Sequence, residues 1–401
     1  MARSLNVEVA VIGGGPAGLT AAIALAGAGI ETALIALKPP ADHRTSALLA
    51  GSVAALETLG VWESCAANAA PLRTLRIVDA TARLIRAPEV RFTAGEIGLD
   101  AFGQNIANRD LVAALGKRAA TIESLVWVEG EAVAVESRDS DIVVTTKDGD
   151  TVRAHLVVGA DGRRSLCRAA AGIDSVSRTY PQTALTFNLA HTRPHRDTST
   201  EFHTEQGPFT LVPLPGNRSS LVCVVSPREA EHLQALDETE LNTEIERRSH
   251  SILGKITVEP GRGVFPLAVE TVQSFGRHRV ALVGEAAHLV PPIGAQGLNL
   301  GLRDAATIGE LVVAARRDGG DVGNAHLLER YDALRRADVQ SRTLAVDLLN
   351  RTLLSDFLPV QSARGLGLYL LDRIGPLRRA AMREGVMPAT SQPRLMRGEA
   401  L

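Results

Sequence analysis

Val11-Ile12-Gly13-Gly14-Gly15-Pro16-Ala17-Gly18 decides how this chain is read. A β-type run over residues 7–12 enters it, and an Ala/Leu-rich stretch over 16–28 leaves it. Strand, tight turn and helix N-terminus in that order, with Gly-x-Gly-x-x-Gly spacing, make a cradle for a dinucleotide. Gly13 allows the turn, Gly15 lets backbone approach a diphosphate, and Gly18 lets the helix pack on the strand. The helix start then offers free N–H groups and the positive end of its dipole to the phosphates. Pro16 suits the first turn, where its missing N–H would have no partner. Gly13, Gly15, Pro16, Ala17 and Gly18 are therefore the expected cofactor contacts. One part of the pattern is absent. The second strand, read over 32–37, should end in an acidic residue for the ribose hydroxyls, and the spacing puts Ala36 there. Such a charge-assisted bond contributes about 1.5–3 kcal/mol, so a weakly held cofactor is expected.

Two further strand–turn stretches lie downstream. The first is Val157-Val158-Gly159-Ala160-Asp161-Gly162-Arg163-Arg164-Ser165-Leu166-Cys167-Arg168. The second runs from residue 280 through Gly284-Glu285-Ala286-Ala287-His288 to Pro291-Pro292-Ile293-Gly294-Ala295-Gln296-Gly297-Leu298-Asn299-Leu300-Gly301. Between the motifs, periodicity predicts helices over 46–59 and 109–120. It predicts strands over 126–135, 142–146 and 156–158, with Asp148-Gly149 as a turn. Residues 176–275 differ in texture: β-like runs at 183–190, 209–213 and 220–225, then two helices. One begins Ser226-Pro227-Arg228-Glu229, with Ser at N-cap, Pro at N1 and Glu at N3; the other covers 237–250. Helices are expected at 296–317, 325–354 and 361–383, and a mobile tail from Pro388. The expected fold is mixed α/β. A Rossmann-like domain is built from 1–175 plus 276–354. An antiparallel-sheet substrate domain is inserted at 176–275, and a C-terminal helix and tail cover 355–401.

Bulk properties exclude several functions. With 401 residues, 45% hydrophobic and 22% charged, the chain is an ordinary globular protein with room for two cores. A net charge of −2 gives no general attraction to nucleic acid, and aromatics at 3% offer no base-stacking surface. The three cysteines, Cys65, Cys167 and Cys223, are scattered without a C-x-x-C pair, so neither a disulfide framework nor a metal site is expected. They fit a reducing cytoplasm. No signal peptide and no apolar run long enough for a membrane span are read.

Together the three motifs resemble those of the single-component flavoprotein aromatic hydroxylases of the para-hydroxybenzoate hydroxylase type, over about residues 5–385. Finer matches are similar to the ubiquinone-biosynthesis hydroxylases. They are Asp42-His43-Arg44-Thr45-Ser46-Ala47-Leu48 with Leu59-Gly60-Val61-Trp62, Asn108-Arg109-Asp110-Leu111 after Gly103, Tyr180-Pro181-Gln182, and Gly207 to Leu214. Leu349-Asn350 and Arg364-Gly365-Leu366-Gly367 follow the C-terminal pattern. The resemblance implies FAD as cofactor. The first motif would hold its ADP half, Asp161 would lie near the diphosphate, and Gly284 and Glu285 would hold the ribityl–diphosphate chain. Glu285 replaces the family's usual Asp, and Cys223 stands where Trp is frequent, in a strand that would line the substrate cavity.

The implied activity is monooxygenation of the ring of a polyprenylated phenol through a flavin C4a-hydroperoxide, with O2 as co-substrate and NAD(P)H or a separate reductase as electron donor. This is cofactor chemistry, so no catalytic triad is expected. Pro292 and Gly294 would lie at the reacting flavin edge. N–H groups near Gly297, Leu298 and Asn299, with the helix dipole, would stabilise the reduced ring. Arg44 and Arg109 are cofactor-contact candidates, a solvated loop charge being the alternative for Arg44. His288 is either a general base or a packed, hydrogen-bonded residue. His203 and Tyr180 either face substrate or are ordinary core and surface residues. Cys167 is either activated by Arg164 and Arg168 or a buried thiol. The basic amphipathic C-terminal helix either packs on the FAD domain or lies peripherally on the inner face of a membrane. Two other functions remain open: hydroxylation of a small soluble phenol, and a low-activity flavin-binding subunit of a ubiquinone-biosynthesis complex.

Overall fold

The computed structural model describes residues 3–38, 42–82, 86–354, 367, 369–370, 373–386 and 392–401. In chain order its helices include α1 (Pro16–Gly27), α2 (Ala50–Thr58), α3 (Asn108–Ala119), α4 (Leu166–Ala170), α5 (Pro227–Ala235), α6 (Glu238–Arg248), α7 (Gln296–Arg317), α8 (Ala325–Leu354) and α9 (Gly375–Val386). The fold is mixed α/β, as the motifs predict.

Short apolar runs make the four inner strands of the central sheet, each buried on both faces. Its six strands are ordered Gly276–Arg277, Val280–Leu282, Leu156–Gly159, Val9–Ile12, Thr32–Ile35 and Leu125–Val128. All pairs are parallel except the first. Register aligns Gly159 with both Ile12 and Leu282. The strands that carry the three motifs are therefore neighbours, and their turns leave the same edge side by side. Helix α1 has no polar face: Gly18 to Ala26 are all buried, between this sheet and α7.

A nine-stranded, largely antiparallel sheet stands beside it. Ser175–His191, Gly263–Val272, Arg218–Val225, Pro208–Leu214, Thr198–His203 and Ile256–Val258 come from residues 175–272, and Thr74–Asp79, Val90–Thr93 and His288–Leu289 extend it from outside that stretch. Helices α5 and α6 cover one face over Leu185, Phe187, Leu221 and Cys223. Ser226 caps α5 as expected, and Asp237 makes a capping box with Glu240 at α6.

Three expectations are corrected. Residues 46–59 are not one helix: Thr45–Leu49 is a strand paired with Gly103–Ala107, and α2 starts only at Ala50. The ladder partner decides this, since a Cβ on Gly103 would lie 1.9 Å from the Leu48 carbonyl oxygen. The run 126–135 is likewise two strands, Leu125–Val128 and Ala132–Ser137, which pair in different sheets. Residues 392–401 are packed rather than mobile. Leu395 and Met396 are buried against α2 and α7, and the Arg394 N–H donates to Glu310 Oε2 at 2.9 Å. The Leu349-Asn350 side chains and the 364–366 stretch lie outside the described residues.

Candidate functional site

Each glycine of the first motif has its own geometric reason. Gly13 sits at φ +120°, and a Cβ there would lie 2.2 Å from the Ala160 carbonyl oxygen. A Cβ on Gly18 would lie 2.1 Å from the Gly13 carbonyl oxygen. Gly15 differs: a Cβ there would meet nothing within 4 Å, so no protein atom demands a glycine. The space in front of it opens at the start of α1, which has Pro16 in its first turn, no side-chain cap and no acidic first-turn residue. That is a cradle a diphosphate fits and a side chain would fill. Ala17 must be small, because Cβ positions on Gly284 and Gly301 each fall 3.3 Å from its methyl. The first motif, the third motif and α7 thus meet at Ala17.

The second motif braces the other two. Asp161 accepts from Ser165 Oγ at 2.6 Å and the Cys167 N–H at 3.0 Å, so its carboxylate is turned to its own helix, α4. Arg168 donates to the Ala286 carbonyl at 3.0 Å, and Arg163 lies 3.4 Å from Glu285 Oε2. The longer Glu285 side chain, half-exposed, is thereby anchored across the gap between motifs. Cys167 is fully buried, and burial pushes its thiol well above the usual range. The activated-thiolate alternative has no support, and the thiol is structural.

Behind the third motif lies a buried charge cluster that sequence reading missed. Asp304, wholly buried in α7, accepts the Gly284 N–H at 2.9 Å and pairs with His288 Nε2 at 2.7 Å and Arg335 Nε at 2.6 Å. Burial alone would raise its pKa; His288, Arg335 and the Gly284 N–H outweigh that and hold it at about 2. Asp304 therefore fixes Gly284, at φ +61°, from behind. His288 is the packed, hydrogen-bonded residue of the two alternatives, with Nε2 committed to Asp304. The signal was present as Arg303-Asp304, a charged pair between the apolar runs Leu300-Gly301-Leu302 and Ala305-Ala306 of α7.

The 291–299 loop faces outward where a cofactor edge would lie. Pro292 and Gly294 are exposed, Gly297 is exposed and Leu298 is half-buried. Gly294 and Ala295 are both left-handed, at φ +67° and +55°, and α7 begins immediately after with no side-chain cap. The Asn299 side chain is spent on structure. It accepts from the Leu49 N–H (2.8 Å) and Ser52 Oγ (2.7 Å) and donates to the Ala47 and Ala295 carbonyls (2.8 and 2.6 Å). Only its backbone N–H remains for a ligand.

Arg44 is fixed rather than loose. It forms a two-point contact with Asp42 (2.9 and 2.8 Å) and stacks 5.6 Å from the Phe265 ring centroid. Asn108 also donates to Asp42 at 2.9 Å. Burial would raise the Asp42 pKa, but Arg44 and Asn108 bring it down to about 2. Arg109 is exposed, 3.7 Å from Asp110, and lines a cavity of about 460 Å3 together with Asp42, Arg218 and Glu259. It is not brought into the three-motif cluster. Ala36 is buried, its Cβ 3.0 Å from the Cβ position of Gly14, and its carbonyl accepts from Trp127 Nε1 at 3.2 Å.

Three substrate-side residues are placed by the structure. Cys223 packs under α5 and α6, on the face opposite Val224. His203 is buried and bonded to Glu201 at 2.8 Å. Tyr180 packs with Ala184, Val224 and Leu267, and its hydroxyl donates to Asp347 at 2.6 Å.

Three adjacent strand–turn cradles on neighbouring parallel strands define a dinucleotide-binding protein. The chain belongs to the family described as FAD binding domain, which matches residues 6–345. It is 36% identical to ubiquinone hydroxylase UbiL of Rhodospirillum rubrum, over 98% of this chain and 92% of that protein. It is 32% identical to 3-demethoxyubiquinol 3-hydroxylase of Escherichia coli, over 94% and 97%. Its fold matches that of p-nitrophenol 4-monooxygenase PnpA from Pseudomonas putida with a TM-score of 0.78, at 18% identity, over 95% and 98% of the two chains.

Proposed function

We propose that this chain is an FAD-dependent monooxygenase that hydroxylates the aromatic ring of a polyprenylated phenol in ubiquinone biosynthesis. O2 is the co-substrate, and NAD(P)H or a separate reductase is the electron donor. The observation that carries this reading is the convergence of three motif turns on adjacent strands around an open cradle at Gly15. The relation to UbiL supports the substrate class.

FAD, when bound, supplies the redox chemistry that activates O2. The chain supplies position and environment. Gly13, Gly15, Pro16, Ala17 and Gly18 hold the diphosphate with α1 N–H groups, and Gly284 and Glu285 hold the chain that follows. The α7 start at Gly297, Leu298 and Asn299 directs its dipole at negative charge on the ring. Pro292 and Gly294 border the reacting edge. Apolar Ala184, Val224 and Leu267 on the second sheet exclude water on the substrate side. A strain lacking the protein should accumulate a precursor short of one ring hydroxyl. An intact quinone pool in that strain overturns the substrate assignment, and a purified protein that takes up no flavin at saturating FAD overturns the class.

Membrane contact is a finer part of the proposal. Helix α9 packs through Met382 and Val386, and Arg378 stacks 4.6 Å from the Phe92 centroid. Packing leaves Tyr369, Leu370, Ile374 and Leu377 exposed beside Arg373, Arg379 and Arg383. Among the described residues no helix is long and apolar enough to cross a membrane; this stripe would hold the protein peripherally, where its substrate dissolves. Co-sedimentation with anionic liposomes should fall on Ile374→Asp with Leu377→Asp, and unchanged binding refutes the contact.

A further inference from the structure

A second cavity, of about 340 Å3, lies on the nine-stranded sheet and shares no residue with the cofactor cradles. Its chemistry is one-sided. Arg76, Arg91, Arg193 and Arg196 line it, with Thr200 and Ser219 buried among its walls, and no carboxylate lines it. The larger cavity beside Arg109 is instead shared between arginines and three carboxylates, Asp42, Asp110 and Glu259. Glu89 is the one acidic partner in ion-pair range of these four arginines among the described residues. It serves both Arg76 and Arg91, each at 2.7 Å. Among the described residues the Arg193 guanidinium makes one hydrogen bond, of 3.3 Å, to the Ser251 carbonyl. Asp197, next to Arg196, is taken by Arg73 at 3.3 Å. Arg76 Nε is buried without a hydrogen-bond partner among the described residues.

The backbone adds a second observation. Arg196 and Asp197 form a turn with both residues left-handed, φ 51° and 54°, closed by the Thr198 N–H donating to the His195 carbonyl at 3.1 Å. Asn-Gly is the usual pair for such a turn, and side-chain-bearing residues there are unfavourable. The turn is held from below. His195 Nδ1 accepts the Asp197 N–H (3.0 Å), so Nε2 carries the proton and donates to the Leu214 carbonyl (3.0 Å). A strained, braced turn thus presents an arginine at the wall of a cavity already rich in arginine.

We infer that this cavity binds a phosphate group. Planar guanidinium forks match phosphate oxygens two at a time, and an excess of cations without a carboxylate lining selects an anion. The volume accepts a phosphate together with a small organic remainder, whether a soluble phosphate ester or a lipid headgroup.

The test uses FAD-loaded, full-length protein, so that the cofactor cradle is already filled. Inorganic pyrophosphate is titrated by calorimetry. Co-sedimentation is run with phosphatidylcholine vesicles and with phosphatidylglycerol-containing vesicles. The variant is Arg193→Gln with Arg196→Asn, because Asn tolerates the left-handed turn and the fold is kept; Arg91→Gln on the exposed strand edge is a second, independent variant. Saturable pyrophosphate binding that weakens about tenfold or more in either variant, at unchanged flavin content, supports a soluble phosphate ligand. Binding only to phosphatidylglycerol vesicles, lost in the same variants, assigns the site to a lipid headgroup. Absence of pyrophosphate binding together with vesicle binding that these variants leave unchanged, or pyrophosphate binding that they leave intact, overturns the inference.

Discussion

Gly15 and Gly18 lie three residues apart and fail differently when given a side chain. Gly15→Val projects only into the open cradle, so the apo-protein should keep its melting temperature while FAD affinity falls about tenfold or more by titration. Gly18→Ala drives a Cβ into the Gly13 carbonyl, so it should lower the melting temperature even without cofactor. Ala36 gives the opposite test. Restoring the missing acid with Ala36→Glu should tighten FAD by about tenfold to a hundredfold, read as more flavin retained after dialysis than in the unaltered chain. Asp304 carries a share of the acid pH dependence, beside Asp42, Glu96 and Glu244, which are also held at about 2. Its folded pKa, about 2, lies below the ordinary 3.8, so it binds protons less readily folded than unfolded. Its stabilisation is complete above pH 3.8 and is lost as pH falls through about 2; it amounts to about 2 kcal/mol. Asp304→Asn should flatten that acid limb in equilibrium unfolding. It should also destabilise the fold near neutrality, by no more than about 3–5 kcal/mol, because buried Arg335 then keeps only Asp338, at 2.8 Å, as counter-charge. A full acid limb in the variant would show that other carboxylates govern it.

Elements were legible in proportion to how local their causes are. The three motif strands and α1 could be read because a β-type run, a glycine turn and a helix start lie within about a dozen residues. The Ser226 cap was equally local. The Thr45–Leu49 strand was not, because its apolar pattern suits a helix and only pairing with Gly103–Ala107 overrides it. The facing of Cys223 could have been recovered from period-two alternation, which sends Val224 and Cys223 to opposite faces. Asp304 was hidden because its partners, Gly284, His288 and Arg335, come from three other segments. The docked 392–401 segment was hidden by a polar composition that buries only two large side chains. Those two should matter: Met396→Ala is expected to cost about 2–4 kcal/mol by chemical denaturation, and a loss under half a kcal/mol would mean the segment is undocked in solution.

At the scale of the molecule, position in the chain and position in space diverge most in the nine-stranded sheet. Thr198–His203 runs parallel to Thr74–Asp79, far upstream, and Gly263–Val272 closes on His288–Leu289, in the middle of the third motif. A ribosome has therefore to release nearly three hundred residues before that sheet can be completed, and pairings so distant are slow to find. Excised alone, 176–275 would bare the Thr198–His203 margin, a template for self-association. Secreted as that fragment or expressed as separate halves, the polypeptide should aggregate, whereas co-expressed halves split at the solvent-facing Asp148-Gly149 turn keep both margins with their natural neighbours and should reassemble.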